Sequence, residues 1–145
     1  MAKLSIATGI IADEPTNCLT TYPKEVLEKA VKQFNNRTAK NPIKGGVLDL
    51  SNIDEIGEAT HITRRMFINE SGMLCAEIET LDTDAGRELL KKIRGNSRVI
   101  ARPIMCVPAY IDILKSQPNR KDPLEVTKIN SIMRIQIQAE CDEAK

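Results

Sequence analysis

A single imidazole limits the chemistry open to this chain. His61 is the only histidine among 145 residues, and a hydroxyl nucleophile needs a base, usually a histidine, within hydrogen-bond reach. Its neighbours Thr60, Thr63 and Arg65 do not complete a triad, and its place in an alternating segment predicts a partly exposed strand histidine. The acidic pairs Asp54-Glu55 and Glu77/Glu79 carry groups suited to acid–base work, but Glu77 and Glu79 share one side of an alternating run and read as a solvated strand face. Cys18, Cys75, Cys106 and Cys141 are widely spread, with no CxxC pair. Structural zinc draws on close Cys or His pairs, so no metal is expected, and the thiols are read as reduced and mostly in or near the core. Gly45-Gly46 lacks the spacing of a phosphate-cradling loop, and no cofactor is expected. The residues by themselves support a soluble domain without an evident active site.

Composition narrows the partners. Twenty-one basic residues against twenty acidic ones leave a net charge of +1. Binding driven by phosphate neutralisation needs a basic face, so no specific nucleic-acid partner is expected. Aromatics are 3% of the chain, with no Trp, which argues against base-stacking platforms. No run approaches the roughly 18 apolar residues of a membrane span, so no membrane partner is expected. The N-terminal MAKLSIATGIIADE lacks the longer apolar stretch and cleavage site of a secretory signal, which reads as a protein made in a cytoplasm and not exported. The length predicts one domain over 1–145, large enough to bury roughly 70% of its unfolded surface.

The elements that must position these residues follow from periodicity. Residues 3–12 read as a first strand, and ADEPTNCLTT as a loop. In YPKEVLEKAVKQFNNR, Val26, Leu27, Ala30, Val31 and Phe34 fall on one helical face. Thr21 or Tyr22 is expected at its cap, Pro23 in its first turn, and Asn35-Asn36 at its end. RTAKNPIKGG reads as a connection, GVLDL as a short strand and SNIDEIGE as a loop. ATHITRRMFIN alternates, with Ile62, Arg64, Met66 and Ile68 opposite His61, Thr63, Arg65 and Phe67. NESG is a turn, and GMLCAEIETL alternates again, predicting a hairpin with Gly72 at positive φ. A second helix follows, capped by Asp82 or Thr83, burying Ala85, Leu89, Leu90 and Ile93 and stopped by Gly95. SRVIARPIMCVPAY is a strand, although Arg102-Pro103 in its middle is out of place in a buried ladder. The plainer reading of Arg102 is a guanidinium paired with a nearby carboxylate. A mobile loop is expected around 115–124. The last strand, KINSIMRIQIQAE, places Ile129, Ser131, Met133, Ile135 and Ile137 on one face, Lys128, Asn130, Arg134, Gln136 and Gln138 on the other, and Ile132 as an exception. A short polar tail ends the chain. About six strands, two helices and adjacent antiparallel pairs predict an α+β fold built on a small antiparallel β-barrel or curled sheet.

The order of these parts resembles the prohead (capsid maturation) proteases of tailed bacteriophages, which share the fold of the herpesvirus assembly proteases. TYPKEVLEKAVKQF is similar to the family's early helix, entered through "YP". GVLDLS, Gly46 to Ser51, sits where the family carries a Gly-Glu-Leu-x-His-Pro motif. ATHITRRMFINESGMLCAEIETLDTDAGRELLKKI resembles its hairpin and following helix, and VIARPI, Val99 to Ile104, falls where Val-Ser-Ser-Arg-Gly belongs. The resemblance covers roughly residues 20–105, and the last strand fits the family's closing strand.

What the resemblance implies is a protease fold without its catalytic pair. Leu50 stands at the histidine position, Ala101 and Ile100 at the serine positions, and Pro103 at the following glycine, while Arg102 is retained. Losing either base or nucleophile costs several orders of magnitude in rate. No catalytic residues are therefore expected, and Leu50, Ala101 and Arg102 are vestigial active-site positions. The expected role is a non-enzymatic decoration or cement protein of a phage capsid, contacting the major capsid protein and further copies of itself in the virion. The alternatives are an active maturation peptidase with a relocated site built from Ser97 and His61, or an internal scaffold or core component of the prohead.

Overall fold

The computed structural model describes residues 2–16, 20–48, 57–95, 98–106 and 124–140. Eight strands and two helices form among them, in the order β1 (Lys3–Ile11), β2 (Thr20–Thr21), α1 (Lys24–Lys40), β3 (Ile43–Gly45), β4 (His61–Ile68), β5 (Met73–Thr80), α2 (Asp84–Gly95), β6 (Arg98–Cys106), β7 (Leu124–Glu125) and β8 (Ser131–Glu140). The fold is α+β, as the element pattern predicts. Leu50, Ser97, Cys18, Cys141, Asp54-Glu55, nearly all of the loop placed around 115–124 and the tail from 141 lie outside the described residues.

The first sheet has the order β1-β5-β4-β3, antiparallel throughout. β6 and β8 form an antiparallel ribbon, and β2 and β7 a short parallel pair. Sheet and ribbon are joined through the residues just after β3. The Ile137 N–H donates to the Gly46 carbonyl and the Leu48 N–H to the Ile137 carbonyl, both at 2.9 Å, giving a parallel bridge between Val47 and Ile137. At the other end β6 runs against β1 without a ladder, so the described strands form a curled, open sheet and no closed barrel.

α1 buries Leu27, Ala30, Phe34 and Thr38, spaced as one helical face requires. The Asp13 carboxylate, on a residue at φ 66°, accepts the Lys24 N–H at 3.0 Å. Thus Pro23 is the cap residue, and an aspartate eleven positions upstream supplies the acceptor expected from Thr21 or Tyr22. The helix also passes through Asn35-Asn36 to Lys40. Asn35 does not end it because its amide is used across the fold: Nδ2 donates to the Met66 carbonyl at 2.9 Å and Oδ1 accepts the Met66 N–H at 2.7 Å. This side chain bonds the edge of β4 beyond the short β3, and the Thr38 hydroxyl donates to the Thr63 carbonyl at 2.6 Å. The β3 strand itself comes three residues before the predicted GVLDL.

The β4–β5 hairpin turns through Asn69 to Gly72, with Gly72 at φ 85° as expected. A β-bulge between Thr63 and Arg65 breaks the alternation of β4. His61, Thr63 and Met66 point inward, while Arg64 and Arg65 both face out. This corrects the grouping of Ile62 and Arg64 with Met66. α2 is capped by the Thr83 hydroxyl, which accepts the Gly86 N–H at 3.0 Å. Gly86 lets the helix close on the preceding loop, since a Cβ there would lie 2.0 Å from the Leu81 carbonyl oxygen.

A second bulge, opposite Ile104 and Met105, inverts the start of β8. Met133 is pushed outward and is 49% exposed, whereas Ile132, the exception to the predicted pattern, is buried. The core gathers Ile6, Leu27, Phe34, Met66, Leu74, Ile78, Leu89, Ala101, Ile132, Ile135 and Ile137 between the sheet, the ribbon and the helices.

Candidate functional site

β8 lies between the two segments that carry the expected motif positions. Gly46 to Leu48 bond to one side of it, and β6, with Ala101 opposite Ile137 and Arg102 opposite Gln136, to the other. Ala101 is fully buried and faces the core. It presents a methyl group where the resemblance places a hydroxyl.

The register accounts for the arginine and proline in this strand. Ile137 spends its N–H and C=O on Gly46 and Leu48, away from β6. Strand backbone groups alternate sides, so Ile135 also turns away from β6, and the Pro103–Ile135 pair is a non-hydrogen-bonded one. The N–H that proline lacks would have faced the outer edge of β6, where the ladder asks for none. Arg102 lies on the face opposite the core, exposed, and its Nε donates to Gln138 Oε1 at 2.8 Å. Its partner is therefore a neutral amide and not the carboxylate expected. Among the described residues no carboxylate pairs with it.

Gln136 is the residue that sequence reasoning missed. It reads as a solvent-facing position, yet it is fully buried. Its Oε1 accepts the Gly46 N–H at 2.9 Å, tying the segment after β3 to the strand opposite Arg102. Its Nε2 has no partner, and buried donors left in that state cost about 1–3 kcal/mol. Nothing in an alternating polar–apolar run distinguishes such a glutamine from its exposed neighbours.

His61 departs from expectation in its burial. It is a core residue with no exposed surface, not a partly exposed one. Its Nε2 lies 2.8 Å from the Ile135 carbonyl oxygen, which only accepts, so Nε2 carries the proton. Nδ1 then accepts from the Thr60 hydroxyl at 2.8 Å. Burial pushes the imidazole pKa down to about 4, against the opposing pull of the bond to Ile135. The ring is thus neutral and locked, and it bridges β4 to β8 over Gly45. A Cβ on Gly45 would lie 2.0 Å from the Ile135 oxygen and 2.6 Å from His61 Nε2. Close approach, and not phosphate binding, is what this glycine serves.

The remaining candidates are dispersed. The thiols divide, with Cys75 buried and its pKa raised by burial, and Cys106 exposed at the end of β6, which corrects the placing of this second thiol in or near the core. Glu77 and Glu79 do not form the expected solvated face: Glu79 is 8% exposed and accepts from Arg64 Nε at 2.6 Å, and Glu77 accepts from Arg65 Nε at 2.9 Å. A cleft of about 630 Å³ lies between α1 and the β4–β5 turn, lined by Lys24 and Lys32 together with Asp13, Glu28 and Glu70. Among the described residues, no three His, Cys, Asp or Glu side chains come together to hold a metal ion.

No family model matches this chain, and no curated protein does. A solved structure does match. The bacteriophage T4 capsid assembly protease superposes with a TM-score of 0.62 at 16% identity, over 95% of this chain and 82% of the other. The fold is prohead-protease-like. At that identity the likeness speaks for the fold alone.

Proposed function

We propose that this protein is a non-enzymatic structural component of a phage capsid, a decoration or cement protein built on an inactivated prohead-protease fold. The observation that carries the reading is Ala101. The segment that resembles the serine motif lies on a strand of a prohead-protease-like fold, but its central side chain is a buried methyl group that cannot act as a nucleophile. Arg102 persists beside it without chemistry to serve. His61 supports the reading further, because it is fully buried, out of reach of any substrate, and its burial-depressed pKa of about 4 makes it a weak base.

The partners are the major capsid protein and further copies of this chain, and the setting is the virion. Among the described residues, the large apolar side chains left exposed are Val47 and Met133, and they are offered as contact points. Incubation with purified scaffold protein is expected to leave it intact. Cleavage that disappears in a Ser97→Ala variant would replace this reading with an active peptidase. Recovery of the chain from immature heads but not from finished ones would make it an internal core component instead.

A further inference from the structure

The sheet and the β6–β8 ribbon are tied at a joint where the Ile137 N–H donates to the Gly46 carbonyl, the Leu48 N–H to the Ile137 carbonyl, and the Gly46 N–H to Gln136 Oε1. His61 Nε2 crosses the same joint to the Ile135 carbonyl. At the other end, β6 and β1 share no ladder among the described residues. The closed joint has no good place for a second ring proton. Nδ1 accepts from the Thr60 hydroxyl at 2.8 Å. With a proton on Nδ1, that hydroxyl would have to turn to the Gly45 carbonyl at 3.4 Å, beyond the usual O–H···O range. Around the ring β3 brings Gly45, β5 Thr80 and β8 Ile135. The charged residues next along these strands are Lys44, Glu79 and Arg134, and Glu79 is held by Arg64. Among the described residues none of them bonds the imidazole, so a charge on the ring would be buried at a cost. Thr60 itself lines a cleft of about 320 Å³ against α2, with Glu58, Asp84, Glu88 and Lys92 around it. Nδ1 is thus one hydroxyl away from solvent.

We propose that His61 is an acid-operated latch: a proton taken from solvent at Nδ1 parts Gly46–Leu48 from the edge of β8, while the β4–β5 hairpin keeps its ladder. In the parted form both ring nitrogens donate to water, and the charge is hydrated. The Ile137 N–H and C=O, which bond Gly46 and Leu48 in the closed form, become a free strand edge of the kind that pairs with another strand. The pKa lowered by burial agrees in direction, since the closed form resists a proton that the parted form accepts. The latch is closed above pH 6.5 and loosens as pH falls toward 4. It does not depend on the capsid role.

Amide hydrogen exchange of the full ¹⁵N-labelled chain tests this, with rates referred to an unstructured chain at each pH. Protection of the Ile137 and Leu48 amides is expected to fall about twentyfold from pH 7 to pH 5, the ratio set by a pKa of 6.5 parted and about 4 closed. Low urea should leave their exchange unchanged, because little surface opens. The Ala76 and Ile78 amides of β5 should stay more protected and exchange faster in urea. In His61→Gln, which cannot titrate, protection at the joint should no longer change with pH. Joint protection that is equal at pH 7 and pH 5, or that matches Ala76 and Ile78 in rate and urea response, would overturn the proposal. So would a loss of the same size that persists in His61→Gln. If that variant does not fold, the wild-type measurements decide alone.

Discussion

The two antiparallel ribbons of this molecule, β4–β5 and β6–β8, both place arginines on their outer faces and treat them differently. In β4–β5 the bulge turns two consecutive arginines outward, and each meets a carboxylate on the neighbouring strand, Arg64 with Glu79 and Arg65 with Glu77. Arg65 also lies over the Phe67 ring, 4.6 Å from its centre. That face is closed electrostatically by its own residues. In β6–β8, Arg102 meets glutamine, and the residue opposite it is a buried glutamine with idle donors. The difference separates a face whose arginines are paired with carboxylates from one whose Arg102 is held by a neutral amide. It falls on the segment where the resemblance places the vestigial site.

The sharpest perturbation strikes the joint that holds the two ribbons together. Gly45→Ala would drive a methyl group into the Ile135 carbonyl and the His61 ring, and is expected to cost about 4 kcal/mol or more, or to prevent folding. Urea denaturation measures this, and a loss below about 1 kcal/mol would mean that the joint is looser than described. Next comes acid. His61 has an unfolded pKa of 6.5 and a folded one of about 4, so the unfolded chain takes up the proton first. Its contribution is complete above pH 6.5 and declines as pH falls toward 4, by about 3 kcal/mol in all. Because no other histidine exists, the slope between pH 6.5 and 5 should flatten in His61→Gln. A slope that persists in that variant would assign it elsewhere.

Smaller effects divide the two ribbons directly. Arg64→Ala strands the nearly buried Glu79 without its partner and is expected to cost about 1–2 kcal/mol. The more exposed Arg65→Ala should cost less than about 1 kcal/mol. Arg102→Gln should change thermal stability by no more than about 0.5 kcal/mol, because its charge supports nothing in the isolated chain. If Arg102→Gln destabilised the fold as much as Arg64→Ala does, the contrast between the ribbons would collapse.

The elements with clean periodicity were legible in the sequence: α1, α2, the hairpin with Gly72, and the β1 and β6 strands. The misreadings cluster at the two bulges. Alternation assigns every second residue to one face, and one extra residue reverses the assignment, as at Arg64 and at Met133. The partners that flank these bulges are distant in the chain. Asn35 bonds Met66 from α1, and Arg37 donates to the Ile132 carbonyl. The burial of His61 and Gln136 was hidden for the same reason, since their partners Ile135 and Gly46 are 74 and 90 positions away. Ala101 and Arg102 were legible only through resemblance to a family, because an Ala-Arg dipeptide has no signature of its own.

The most direct test of the central claim is quantitative mass spectrometry of purified mature particles. The account expects this chain at full length and in fixed proportion to the major capsid protein. Particles that lack it would contradict the account.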